Sequence, residues 1–337
     1  MDENKEFRNA IHEASIFLLL DAEKGEGESL AEKFGVTGYP TYMVLNAAGE
    51  TVDRWIGYGD PDSFLASLQG AVNDPSTVAE KFARYEASPN ACDAEKLGDI
   101  YSAERDPEKA LAMYRSADEL DTESNASLTA KIFHTLAGGF FSETFSLEEI
   151  TTGADAVLAI DGDDNTMNLV QVASMMGMIG GRAGQPDLSR PYLMAALEAT
   201  EGTQHEGMIK ARRELLLEKA LHIDNDLETA VQLKRDSMPE GWKDSPDDLN
   251  NFAWWCFENK VNLEQAEKMA RSATELAEPG QEKAMVLDTL AEICNELGNC
   301  GEAVALMQSA LEEDPENEYF QKQLERFQDL LGQDNRT

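Results

Sequence analysis

The chain has 337 residues, with 65 acidic against 28 basic side chains and a formal net charge of −37. That length suits two domains or one long repeat array, and 42% hydrophobic residues provide enough apolar surface for a core. Phosphate backbones and anionic lipids are bound by clustered Lys and Arg, and no such cluster occurs, which argues against nucleic acid and acidic membrane as partners. No apolar run reaches the ~18–20 residues that span a bilayer. The four cysteines, Cys92, Cys256, Cys294 and Cys300, form no CxxC pair. They read as buried helical thiols, with a Cys294–Cys300 bridge the alternative in an oxidising compartment.

The first residues, MDENKEFRNAIHEAS, are charged and amphipathic, unlike a secretory signal. Ile16 to Leu20 is a short apolar run that predicts a buried strand. Glu28 to Phe34 predicts a helix stopped by Gly35, and Thr41 to Leu45 a strand. The turn Ala47-Ala48-Gly49-Glu50 leads to a returning strand to Gly57, so the pair reads as a hairpin. Asp60-Pro61 then opens a helix to about Leu68, with Asp at the cap and Pro in the first turn. From about residue 90 strand signals vanish and helical periodicity takes over.

Two helical stretches match at the same offsets. Leu97, Gly98, Tyr101, Ala110, Tyr114 and Ala117 correspond to Leu290, Ala291, Cys294, Ala303, Met307 and Ala310, with Pro315 beyond. The pattern resembles the tetratricopeptide repeat, a helical hairpin of about 34 residues. Weaker copies are marked by Leu136 with Ala156, Met176 with Ala196, Leu217 with Ala230, and Ala253 with Ala273. Together they give six units spaced by roughly 36 to 41 residues, and a helix from Glu316 to Leu331 would cap the stack.

FGVTGYPTYMVLNAAGETVDRWIGY is similar to the second half of a thioredoxin fold, where a helix leads through a cis-proline into a hairpin and a closing helix. The resemblance covers residues 1–75 and implies that Tyr39, before Pro40, docks an extended peptide. The plainer reading, that Pro40 only shapes the turn, is preferred because the CxxC helix of such domains has no counterpart here. Either a CxxC segment precedes the chain as given or the domain has become a structural cap.

Other chemistry is not encoded. His12, His134, His205 and His222 lie far apart with no metal spacing. Asp161-Gly162-Asp163-Asp164-Asn165 lacks the sixth-position glycine and twelfth-position Glu of a calcium loop, so it reads as a capped inter-helix loop. The glycines between Gly177 and Gly184 lack a preceding strand and a GK[ST], and read as sites of close helix packing.

The expectation is therefore a mainly α protein: a tetratricopeptide-type solenoid over 90–317, a partial thioredoxin-like α/β domain over 1–75, and a capping helix and tail over 318–337. Its predicted role is a protein–protein interaction scaffold without catalytic residues, metal or cofactor. The alternative is a thiol–disulfide oxidoreductase whose CxxC lies upstream and whose repeats recruit clients. The first helix of each hairpin would line a groove presenting Glu95, Asp99, Asn251, Trp255, Asp288 and Glu292, suited to a protein or peptide of basic character. The Lys, Arg and Asn set with which family members clamp a terminal carboxylate is not reproduced. Resemblance implies exported bacterial proteins as often as cytoplasmic ones: cytoplasmic if the chain is complete, exported if truncated. It leaves the oligomeric state open.

Overall fold

The computed structural model describes residues 5–121, 125–162 and 165–334. The fold class is mainly α, and the chain divides into two compact units, Met1–Ala199 and Thr200–Thr337.

The first unit begins with α1 (Lys5–Ala14), α2 (Glu26–Lys33), β1 (Thr41–Leu45), β2 (Thr51–Ile56) and α3 (Pro61–Asn73). The strands pair antiparallel, with Tyr42 stacked on its cross-strand partner Trp55 at 5.6 Å. At the turn the Asn46 carboxamide oxygen accepts from the Ala48 and Glu50 N–H groups, and Gly49 takes a φ of 79° that only glycine adopts freely. Asp60 caps α3 by accepting from Asp62 N–H and Ser63 N–H, as its place before Pro61 predicts. Phe64 and Leu68 of α3 then meet Phe7 and Ile11 of α1 in a small core. The Tyr39–Pro40 peptide bond is cis, and both residues are exposed, Tyr39 at 62%.

The expected strand over Ile16–Leu20 does not form. Ile16 is 100% exposed, Leu18 72% and Leu19 84%, and only Phe17 packs on the core. A strand is stabilised by its neighbours rather than by intrinsic propensity, and no neighbour is present among the described residues.

Between the two predicted domains lies a further helix, α4 (Val78–Ala87), opened by a capping box between Thr77 and Glu80. Its Lys81 is buried and donates to the carbonyls of Val52 (3.2 Å), Asp74 (3.1 Å) and Ser76. Arg84 bridges Asp74 (2.7 Å) and the buried Asp93, whose carboxyl it holds below the ordinary range. Lys96 adds an ion pair to the buried Asp53 of β2 at 2.9 Å. These contacts fasten the hairpin to the helices that follow.

Those helices come in antiparallel pairs. In the first unit they are α5 (Ala91–Ala103) with α6 (Pro107–Leu120), α7 (Ala126–Gly138) with α8 (Leu147–Leu158), and α9 (Thr166–Arg182) with α10 (Arg190–Ala199). In the second they are α11 (Glu206–Glu218) with α12 (Leu227–Asp236), α13 (Pro246–Glu258) with α14 (Leu263–Leu276), and α15 (Gln281–Glu296) with α16 (Cys300–Glu313), followed by α17 (Glu318–Asp334). Pairing is tightest where small residues oppose large ones. A Cβ at Gly98 would lie 2.5 Å from the Tyr114 ring, so α5 and α6 approach closely only because that side chain is missing.

Three local expectations are sharpened. In α9 only Gly180 meets a close neighbour, the Gln185 carbonyl; Gly177 and Gly181 face open space and Gly184 ends the helix at φ 69°. Asn165 is buried and donates to the Val157 and Ile160 carbonyls, tying off the end of α8, while Asp163 and Asp164 lie outside the described residues. No disulfide joins any of the four cysteines: Cys256 and Cys294 are buried, Cys300 half-buried and Cys92 exposed.

Candidate functional site

The leading helix of each pair carries the predicted groove residues. In α5, Glu95 and Asp99 lie one turn apart, and Lys131 of α7 donates to both, at 2.8 Å and 2.7 Å. Tyr114 adds a hydroxyl bond to Asp99 at 2.9 Å. Burial pulls the Lys131 ammonium down, but the charges and hydrogen bonds of Asp99 and Glu95 outweigh it and hold it above its ordinary value. The same face continues from α7 to α9, where His134 Nε2 meets Gln171 Oε1 at 2.8 Å and Nδ1 lies 3.2 Å from the Met175 sulfur. Burial lowers the His134 pKa, which favours neutral imidazole there.

In α15, Asp288 and Glu292 occupy the positions of Glu95 and Asp99 but are only 8% and 7% exposed. They lie under α17: Tyr319 donates to Asp288 at 3.2 Å, Gln323 to Glu292 at 3.0 Å, and Arg326 pairs with Glu292. Asp288 Oδ1 has no partner among the described residues. Burial, then the Glu292 charge, push the Asp288 carboxyl up to about 6; Tyr319 and Arg326 pull the other way without cancelling that rise. The capping helix thus covers two of the residues expected to line an open groove.

Asn251 and Trp255 stand one residue out of register. The buried positions of α13, namely Leu249, Phe252, Ala253 and Cys256, repeat as Leu287, Leu290, Ala291 and Cys294 in α15. On that alignment the counterparts of Asp288 and Glu292 are Asn250 and Trp254. The loop after α13 runs one residue longer than the loop after α15, with Lys260 and Asn262 both at φ 52°, and counting across it shifts the face by one residue. Asn251 is exposed, and Trp255 packs against the core with the Lys234 ammonium 5.7 Å from its ring centroid. Asn250 and Trp254 are half-buried, and Asn250 Oδ1 is unpartnered among the described residues.

Sequence reading missed the cations that organise this face, Lys131 and Arg326. Each follows its acid by about one repeat, a spacing visible only once the helices are in register.

Among the described residues, Glu267, Cys294 and Glu302 bring ligand atoms within 4.8 Å of one another. Arg271 already joins them, donating to Glu267 at 2.7 Å and Glu302 at 2.6 Å, with Cys294 Sγ at 3.9 Å. Its guanidinium supplies the charge that a cation would bring, and burial pushes the Cys294 thiol up to about 12, far from the thiolate that ligates metal. The cluster reads as an ion-pair network. No described helix is long and apolar enough to cross a membrane.

The tetratricopeptide-repeat family model matches residues 95–124, which begin within α5 and include all of α6. A tetratricopeptide repeat protein from Parabacteroides merdae, known from its crystal structure, is similar over 79% of this chain and 98% of its own, at 14% identity and a TM-score of 0.45. No curated protein matches the chain.

Proposed function

We propose that the chain is a protein-interaction scaffold, with tetratricopeptide-type pairs over 90–317, a capping helix and tail over 318–337, and recognition by the leading-helix face. One observation carries this reading: the repeat matched at α5 and α6 has a buried register that recurs in α13 and α15. Within the first unit the face offers Glu95 and Asp99, already bridged by Lys131. Within the second it offers Asn250 and Trp254, with Asn251 and Trp255 beside them. A polypeptide partner fits a surface of half-buried aromatic and carboxamide groups. The preference for basic partners now rests on the charge of −37, which acts at long range, rather than on Asp288 and Glu292. Residues 1–75 are proposed as a thioredoxin-like cap acting without dithiol exchange, supported by the order helix, hairpin, helix. In that role Tyr39 and Pro40 shape the entry to the hairpin.

Peptides selected from a random displayed library against the full chain test the scaffold reading. Selected binders should lose about ten-fold in affinity on Trp254→Ala, measured by calorimetry. A panel that bound the Trp254→Ala, Trp255→Ala and Glu95→Lys variants as tightly as the parent would overturn it.

A further inference from the structure

The N-terminal segment presents a second kind of docking edge, one that does not depend on the helical face. Residues 16–20 run on from α1 without turn or bend and make no backbone hydrogen bond to any described residue. Phe17 is anchored on the core of Phe7, Ile11, Phe64 and Leu68, while Ile16 and Leu18 on either side of it stand in water. Leu19, which strict alternation would seat beside Phe17, is 84% exposed as well, so the segment is held at Phe17 alone, apolar and with no backbone partner among the described residues.

The hairpin has no room at its other side. Lys81 caps the Val52 carbonyl, the Asp53 carboxylate takes the Arg54 N–H, and α4 and α5 pack against β2. A further strand can therefore join only beyond β1, whose Tyr42 and Val44 share the core that seats Phe17.

Charge selects the occupant. From Glu13 to Glu28 there are five acids and a single base, Lys24, which is tied to Asp21 at 2.9 Å. A second copy would bring the same acids to the same edge, in a chain of charge −37. We propose that Ile16–Leu20 docks an extended apolar strand of a partner protein, flanked by Lys or Arg, through backbone pairing with alternate side chains laid against Ile16 and Leu18.

The probe is a labelled synthetic peptide alternating valine and threonine between lysine flanks, titrated into the full chain by fluorescence anisotropy. Binding should weaken about ten-fold or more with Leu18→Asp, a change at an exposed site that leaves the circular dichroism intact. It should vanish when alternate peptide nitrogens along one edge are methylated, and weaken about ten-fold with glutamate flanks. The proposal fails if the lysine-flanked peptide does not bind, or if binding survives Leu18→Asp or N-methylation. It also fails if the chain sediments as a dimer that Leu18→Asp dissolves, which would assign the edge to a second copy.

Discussion

The first and last helical pairs, α5 with α6 and α15 with α16, start from the same pattern and end in different electrostatic states. Both place two carboxylates one turn apart on the leading helix, and both receive a cation from a later helix about one repeat on. In the first pair, Lys131 reaches both acids at a part-exposed site. In the last, Arg326 pairs with Glu292 rather than with both acids, and Asp288 keeps a tyrosine hydroxyl on one oxygen while the other has no partner among the described residues. One cation suffices for two carboxylates when it touches both and water screens the remainder; once α17 excludes that water, the unpaired acid bears the cost of burial.

The largest expected effect tests the packing beneath that face. Gly98→Val drives a side chain into the Tyr114 ring, which is buried and held by Asp99, and should destabilise the first unit by about 2–3 kcal/mol in urea unfolding. At the same position in the last pair, Ala291 already carries a Cβ and the counterpart of Tyr114 is the flexible Met307. Ala291→Gly should therefore cost only about 1 kcal/mol. Equal costs at the two sites would remove the distinction.

Next comes pH. The folded Asp288 pKa of about 6 lies above its ordinary 3.8, so the folded state binds the extra proton. Protonation of Asp288 therefore contributes stability that is fully present below about pH 4 and lost as pH rises through about 6. Asp288→Asn should stabilise the second unit by about 1–3 kcal/mol at pH 7.5, with the gain vanishing near pH 4. Unfolding curves for parent and variant that stay parallel from pH 4 to 8 would contradict this.

The smallest effect falls on the first pair. Lys131→Met leaves Glu95 and Asp99 facing each other, but both are part-exposed, so the loss should be about 1–2 kcal/mol and should shrink in high salt. A larger, salt-insensitive loss would mean that this pair behaves as a buried one.

Much of this was legible beforehand, for identifiable reasons. The β-hairpin and its closing helix were readable because turn and cap chemistry is local: Asn46 to Gly49, then Asp60 before Pro61. The leading helices were readable through small residues at fixed offsets. The groove was less legible. Asn251 and Trp255 came out one position astray because a single extra loop residue turns a helix by about 100°. Helix α4 was missed because its one fully buried member is Lys81, which gives no apolar stripe to read.

By itself, then, the sequence determined the secondary elements with local signals, the mainly α repeat class, and a charge unsuited to phosphate backbones. Tertiary structure alone decided which acids were covered, which cation met which carboxylate, and that Ile16–Leu20 has no strand partner among the described residues. Those outcomes depend on neighbours tens of residues away. Burial and strand pairing are properties of what lies opposite a residue, and one residue of register is enough to change that.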